Sequence, residues 1–439
     1  MIFDPYALSF VMLFLLATLG VALLVCKGPA QRQMLLPALL GFSLFNGFAV
    51  ATVDAPGFML VGYFLFIPVL IAGFRLGAIF CYPVGVAIAT NAAPTLARLA
   101  EGRAAKRVIS IYFILTFVTL IVPTFKVHLL LSPPSPDLRA LFDAQFTVSR
   151  GAASAIIAIL TALLTPMYYL ALYRYRKKTF TLFLLIFLPL YMEYVRDAYI
   201  GRYMVFFALI YIFVMTWTFK ARWRVALLVG TAAALPLLVS LAHSYTFLRL
   251  GAVVGESSVI DSILETFEAE LMLPIRIGVP LIDSRENANL LGYFTWLFTM
   301  PIPGFIKDWL PVTITYLNHD ISEVVLGVPR GARQFYIVLP GLIAESMFLY
   351  GKVFFVLHPL MIGTIIGGFA AITQNIPRSN ALRYFLSILF FFNLNRGGIA
   401  SVMPMLINGF LLFALIIYFA IHRAGRLRAT HRTLDNASR

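Results

Sequence analysis

The residues best suited to chemistry in this sequence are arginines placed beside glycine or proline. The chain has 26 Arg and 8 Lys, and a guanidinium binds phosphate oxygens through paired hydrogen bonds that an ammonium cannot make. Singly, each arginine could be an anchor that reaches the membrane surface. Together they favour one site for an anionic group such as a diphosphate. Outside the basic clusters described below, six arginines lie next to predicted helix ends, most of them with Gly or Pro close by: Arg196, Arg202, Arg276, Arg330, Arg333 and Arg396.

The acidic residue that stands out is Glu345, which lies in the apolar run Leu342–Met347. A carboxyl group at membrane depth is costly and indicates function by default. It could act as a general base on a hydroxyl nucleophile. The alternative is a structural ion pair with Lys352 or with one of the arginines. Glu193 and His319 are weaker candidates of the same kind.

Several motifs that mark metal-dependent or nucleotide-dependent activity are absent from the sequence. No paired His or Cys has zinc-ligand spacing, no Walker-type glycine loop occurs, and there is no Asp-x-Asp. The sequence therefore predicts no metal site, no cofactor and no ATP-driven pump.

The amino-acid composition indicates whether these residues belong to a soluble or a membrane protein. Hydrophobic residues make up 61% of the 439 and charged residues 12%, whereas soluble chains are about 45–50% apolar and about 25% charged. The mean hydropathy is +0.90. We therefore expect an all-α, polytopic transmembrane protein.

A span needs about 20 apolar residues, which predicts about 11 spans, with 11–14 allowed. Gly57–Ala97 is either one tilted span or two spans hinged at Arg75. The predicted spans are Ala7–Cys26, Met34–Val53, Gly57–Ala97, Val108–Leu131, Gly151–Tyr173, Thr179–Val195, Tyr203–Phe219, Val225–His243, Val353–Thr373, Tyr384–Asn395 and Ile399–Ile421.

The charges predict the orientation. Six basic clusters at the span ends carry a net charge of +18. Since the formal net charge of the whole chain is +15, the rest of the chain carries −3. By the positive-inside rule the clusters face the cytoplasm, so the N-terminus lies outside and the C-terminus in the cytoplasm. The positive charge is thus a topology signal, and no nucleic-acid partner is expected.

The predicted domains are transmembrane helices over residues 1–243, a large outward loop over 244–340, transmembrane helices over 341–421 and a basic cytoplasmic tail over 422–439. Within the loop, Ser257–Leu273 has the periodicity of an amphipathic helix. Phe294–Pro311 is aromatic and broken by proline, which is typical of an interfacial segment. It is either a lipid-handling surface or an ordinary anchor.

This layout, with Arg-Gly turns and the run Ala344-Glu-Ser-Met-Phe-Leu-Tyr-Gly351, resembles the O-antigen (oligosaccharide repeat-unit) polymerases of bacterial inner membranes. That family is described with an arginine-x10-glycine pattern in two periplasmic loops. Arg330 and Gly341 have this spacing, whereas neither Arg196 nor Arg202 has a glycine eleven positions on. The resemblance covers the layout of most of the chain but few specific residues.

The resemblance implies a metal-independent glycosyltransferase of the C-type membrane class in the bacterial inner membrane, with its active site facing the periplasm. It would join glycan from an undecaprenyl-diphosphate carrier to a second carrier-linked unit, with a chain-length regulator as a candidate partner. Glu345, Arg330 and Arg333 would then be catalytic, whereas Arg276, Arg396, Arg196 and Arg202 would bind diphosphate. The alternatives are an O-antigen ligase, a flippase or other transporter, and a membrane scaffold.

Overall fold

The structure is a computed structural model. It describes residues 3–101, 103–121, 274–300, 317–329, 337–375 and 380–411, with scattered positions between 160 and 309. All regular elements in these ranges are helical, as the composition predicts. Arg196, Arg202, Arg330, Arg333, Glu193 and most of Ser257–Leu273 lie outside the described residues.

We number the α-helices in chain order. Short π-helical segments, Ser43–Gly47, Leu389–Leu394 and Met405–Leu411, follow α2, α11 and α12, and a 3₁₀ turn, Arg285–Asn287, precedes α7. The helices are α1 (Pro5–Val25), α2 (Pro29–Phe42), α3 (Phe48–Val50), α4 (Gly57–Glu101), α5 (Arg103–Ile121), α6 (Gly278–Asp283), α7 (Leu290–Thr299), α8 (Leu317–Leu326), α9 (Leu342–Phe354), α10 (Leu357–Gln374), α11 (Asn380–Ile388) and α12 (Asn395–Pro404).

Five helical segments in the described ranges are long and apolar enough to cross a membrane. Their bounds agree with the first three predicted spans and with the region of the last three. They are Pro5–Val25, Pro29–Val50, Gly57–Thr90, Leu357–Gln374 and Leu382–Ile407. In contrast, α9 has 13 residues and a length of about 20 Å, too short for a hydrocarbon core of about 30 Å.

The segment that the sequence left open, Gly57–Ala97, lies within one helix, α4. Arg75 does not mark a hinge. Its Nη1 donates a hydrogen bond to the carbonyl oxygen of Val25 at 3.2 Å, so it caps the end of α1. The two-span alternative is wrong, because the backbone continues helically through this arginine.

The central contact of the bundle is between α4 and α10, which run in the same direction. Gly73 lies against the Leu360 carbonyl and Gly77 against that of Thr364. Gly363 and Gly367 lie in the same way against the backbone of α4. This is small-residue packing of the GxxxG type, which lets two backbones touch.

Two breaks reverse the chain direction, and both occur at glycines with positive φ. Ser346 on α9 contacts His358 on α10 at 2.8 Å, and the Asn393 amide contacts Met405 Sδ at 3.6 Å. Each pair is twelve residues apart in sequence, and in a straight helix would be separated by about 18 Å. The apolar stretch Leu382–Ile407 therefore folds back on itself as a helical hairpin, with its break at Gly398.

Both hairpins have their tips at the end of the bundle where α2 finishes and α4 begins. Lys352, next to the first tip, lies over Phe58 near the start of α4. Asn395, next to the second tip, accepts a hydrogen bond at its carbonyl from Asn46 Nδ2. This shared end is the one that the charge pattern predicts to face outward.

Candidate functional site

The centre of this end is α9, whose residues from Leu342 to Tyr350 are all buried. A helix without a solvent-facing side must be surrounded by other elements. Gly278 of α6 lies against Ala344, and Gly62 of α4 lies against Met347. The predicted catalytic residue Glu345 is thus enclosed, with no exposed side-chain surface.

The two carboxylate oxygens of Glu345 have different surroundings. Oε1 accepts a hydrogen bond from the backbone N–H of Ile399 at 2.9 Å and lies 3.5 Å from His358 Nε2. Oε2 lies against the Cα of Gly398 and has no hydrogen-bond partner among the described residues. A carboxyl at the start of a helical segment suits the exposed N–H groups there.

His358 connects Glu345 to Ser346. The Ser346 hydroxyl donates its proton to the Leu342 carbonyl at 2.6 Å, so towards His358 Nδ1, at 2.8 Å, it can only accept. Nδ1 therefore carries a hydrogen. Ser346 is not placed as a nucleophile, because its proton is held by its own helix and His358 offers it no base.

Three glycines hold the backbone around the carboxyl. Gly341 (φ 78°, ψ 161°) precedes α9, Gly351 (φ 78°, ψ 169°) ends its buried part, and Gly398 (φ 70°, ψ −171°) forms the second tip. This region of backbone conformation is accessible almost only to glycine. At Gly398 a Cβ would also collide with the Glu345 carboxylate, so both the backbone and the space there require glycine.

The second tip is fixed by two buried asparagines, Asn395 and Asn46, the second of which donates to the backbone carbonyl of the first. The Asn395 side-chain amide donates to the carbonyls of Ala38, Phe390 and Phe391 at 2.7–3.1 Å. These are carbonyls of α2 and of the π-helical segment, where the regular helix ladder is disturbed. Asn395 thereby holds the chain at the point from which Arg396 projects.

Two tyrosines complete the surroundings of Glu345. Tyr293 of α7 is buried, and its hydroxyl has no hydrogen-bond partner among the described residues. Burial, and then the nearby Glu345, raise the pKa of Tyr293 well above its usual range. The same two causes raise the pKa of Tyr350 to about 12. Both are therefore neutral hydroxyls at physiological pH.

Burial also acts on Glu345 itself, which lies on the short helix α9. It raises the pKa of the Glu345 carboxyl to about 8, and the hydrogen bond from Ile399 only partly opposes this. Such a value would suit a group that gains and loses a proton near neutral pH. In the conformation described, however, nothing outside the protein can reach the carboxyl.

Two of the predicted diphosphate-binding arginines lie on segments that meet at α9. Arg276 is exposed two residues before Gly278, and Arg396 is partly exposed two residues before Gly398. The Arg396 guanidinium lies 5.7 Å from the centre of the Phe392 ring. The chain therefore carries both cations to the same helix from positions 120 residues apart.

The ion-pair alternative for Glu345 involved Lys352, and the structure corrects it. The Lys352 ammonium is exposed and lies 4.2 Å from the centre of the Phe58 ring. Among the described residues, the ionisable side chain that faces Glu345 is His358, at 3.5 Å. Lys352 cannot reach Glu345 because the chain reverses at Gly351 and α9 buries the carboxyl beneath it.

Sequence reasoning missed His358, which is buried like Glu345. Its position in an apolar run was the available signal, since a polar group there needs a partner. It also missed Arg285, whose guanidinium packs on Gly351. In the interfacial segment, Trp296 is buried, whereas Phe298 and Trp309 are exposed. His319 lies near the start of α8.

Within the part of the chain that the structure describes, no three His, Cys, Asp or Glu side chains are grouped to hold a metal. Chemically, the arrangement offers a shielded carboxyl with an imidazole partner, beside two turns that carry arginines. In the comparisons with known proteins, no family model, curated protein or solved structure matches the chain.

Proposed function

We propose that this protein is a membrane glycosyltransferase that polymerises oligosaccharide units carried on undecaprenyl diphosphate. One observation carries the proposal. The run Ala344–Gly351, on which the resemblance to O-antigen polymerases rests, forms the buried helix that the Arg276 and Arg396 segments both contact. A lipid diphosphate leaving group needs cations rather than a base, and guanidinium groups can stabilise its developing charge without a metal.

In this proposal the roles of the residues differ in kind. Arg276 and Arg396 bind the diphosphate at the outward end of the bundle, together with the predicted catalytic residues Arg330 and Arg333. Glu345 would accept the proton of the attacking sugar hydroxyl only as an ionised carboxylate, after the Gly398 turn has moved away and the carboxyl has released its own proton to solvent. In the enclosed state it keeps that turn in place through the Ile399 N–H.

The test compares Arg396→Ala and Arg396→Lys in cells that lack the native gene. We expect loss of long-chain glycan with alanine and only partial recovery with lysine, since an ammonium cannot form the paired hydrogen bonds. Arg32→Ala, in the predicted cytoplasmic border, is the matched control and should leave the ladder of glycan lengths unchanged. Membrane levels of each variant are measured in parallel. An unchanged ladder with Arg396→Ala contradicts the proposal.

The ladder of glycan lengths, separated by gel electrophoresis, also distinguishes the ligase alternative. Loss of a polymerase leaves lipid A core capped with a single repeat unit, because ligation of that unit does not need polymerisation. Loss of a ligase leaves the core without any unit, while carrier-linked glycan accumulates. The polymerase proposal therefore requires the single-unit band to persist in the Arg396→Ala cells.

A second candidate, a transporter of lipid-linked glycan, is favoured by the broken helices. Discontinuous helices beside a buried polar site are common in secondary transporters. Here the break at Gly398 lies against Glu345, and the break at Gly351 lies in the chain between Glu345 and His358. A proteoliposome assay separates the two. Transfer of carrier-linked glycan across the bilayer without chain growth would favour transport.

A further inference from the structure

We propose that Glu345 and His358 form a buried proton-binding site that holds one exchangeable proton, with Glu345 as a neutral carboxylic acid when the Gly398 turn is closed. Nothing in the sequence assigns this site, and it does not depend on glycosyl transfer. Its ligand is a proton, and its parts are Glu345 Oε1, His358 Nε2 and the Ser346 hydroxyl.

The first step concerns the charge that the site can carry. Glu345 and His358 have no exposed surface, and an isolated charge in such a place is very costly. Among the described residues, the ionisable groups on the surrounding elements do not supply a counter-charge. Tyr293 and Tyr350 are neutral, Tyr63 of α4 is bonded to Ser43, and Asp283 and Arg285 are exposed. Arg396, of α12, is directed to Phe392.

The pair must therefore be neutral overall, which leaves two arrangements. In one, a carboxylate faces an imidazolium; in the other, a carboxylic acid faces a neutral imidazole. Charge-assisted N–H···O bonds are about 2.7–2.9 Å long, whereas the Nε2 to Oε1 distance is 3.5 Å. At this separation an ion pair would bury two full charges without a hydrogen bond between them, which is costly. The second arrangement buries no full charge and is therefore favoured.

Accounting for the hydrogens supports the same arrangement. Ser346 fixes a hydrogen on Nδ1 of His358, as shown above. A neutral ring then has its lone pair on Nε2, and this atom has no hydrogen-bond partner among the described residues. The Glu345 acid is the group facing it, so a proton on Oε1 would be directed at an acceptor. A protonated Glu345 thus directs its hydrogen at the Nε2 lone pair of His358, whereas an ionised carboxylate would place its negative charge against that lone pair.

The route by which this proton exchanges is the second hairpin tip. Gly398 covers Oε2, and Ile399 covers Oε1. Opening the tip would expose both oxygens at the outward end of the bundle. Binding or release of the proton would therefore be coupled to the position of the turn that carries Arg396.

The test is infrared difference spectroscopy on the purified full-length protein in lipid nanodiscs. A protonated carboxyl has a C=O stretch that an ionised carboxylate lacks. We expect a band in the wild-type protein at about pH 6 that Glu345→Gln removes and that weakens as pH rises towards about 8. The exposed residue Glu286 is the control, since Glu286→Gln should remove no band at this pH.

His358→Leu separates the two arrangements. If the acid is already neutral, the wild-type band is present, and in His358→Leu it persists to higher pH because the imidazole acceptor is gone. If the resting state is an ion pair, the wild type lacks the band and His358→Leu creates it. That second result, or the absence of any band sensitive to Glu345→Gln across this pH range, overturns the proposal. The wild-type spectrum alone decides if the His358 variant does not fold.

Discussion

Replacing Gly398 with alanine tests the site most directly, because the added methyl group meets two obstacles. The backbone at Gly398 has φ 70° and ψ −171°, a conformation that costs other residues about 1–3 kcal/mol. The methyl group would also occupy the place of the Glu345 carboxylate. Moving the carboxylate breaks its hydrogen bond with Ile399, which adds about 1.5–3 kcal/mol for a bond to a charged group and less for a neutral acid.

The two terms together predict a loss of about 2–5 kcal/mol in the free energy of unfolding, with the lower values applying if Glu345 is a neutral acid. With an unfolding entropy of about 2.1 cal/mol/K per residue over the whole chain, that corresponds to a fall of about 2–5 °C in the midpoint of thermal unfolding. The assay is thermal unfolding in detergent at a fixed scan rate, since large membrane proteins unfold irreversibly.

Gly327→Ala is the matched control. Gly327 has φ 64° but no atom within 4 Å of an added Cβ, so only the backbone term applies, about 1–2 kcal/mol. The double variant Gly398→Ala, Glu345→Ala isolates the collision, because removing the carboxylate leaves only the backbone strain. Equal losses in Gly398→Ala and Gly327→Ala would refute the proposed contact between the tip and the carboxyl.

Two further predictions concern the pH dependence of stability and the second hairpin. Burial raises the pKa of Glu345 from 4.5 to about 8, so the folded state binds more protons than the unfolded state in that window. The wild-type protein should therefore lose stability as pH rises through it, and Glu345→Gln should flatten this slope; an unchanged slope in that variant argues against a buried carboxyl. Cysteines at Asn393 and Met405, in a chain without Cys26 and Cys81, should be joined by a short bis-maleimide, because the native side chains lie 3.6 Å apart. In a continuous helix they would be about 18 Å apart, and peptide mass spectrometry would detect no link.

The helices of the bundle were predictable because their signal is local. Twenty apolar residues in succession mark a span whatever the rest of the chain does. Helix α4 begins at the predicted residue, and α1 and α10 begin within four residues of their predicted starts. The parallel course of α4 and α10 requires an odd number of crossings between them, and the predicted topology has five.

The site was predictable only in part. Glu345 was identified because a carboxyl in an apolar run is expensive wherever it packs. Its partner was not, since His358 comes within 3.5 Å only when the chain turns back at Gly351. Glu345 and His358 are thirteen residues apart in the sequence, whereas side chains that face each other on one helix are three or four residues apart. The spacing therefore did not predict the pair.

By itself, the sequence determined the class of protein, the approximate positions of the apolar helices in the part of the chain that the structure describes, and the acidic residue worth testing. These follow from composition and from short runs of residues, which act over one or two turns of helix. Only the tertiary structure decided that α9 is a short buried helix, that Gly398 closes over the carboxyl, and that Arg276 and Arg396 lie on segments meeting there. Those contacts join residues far apart in the chain, and they depend on where positive-φ glycines let the backbone reverse.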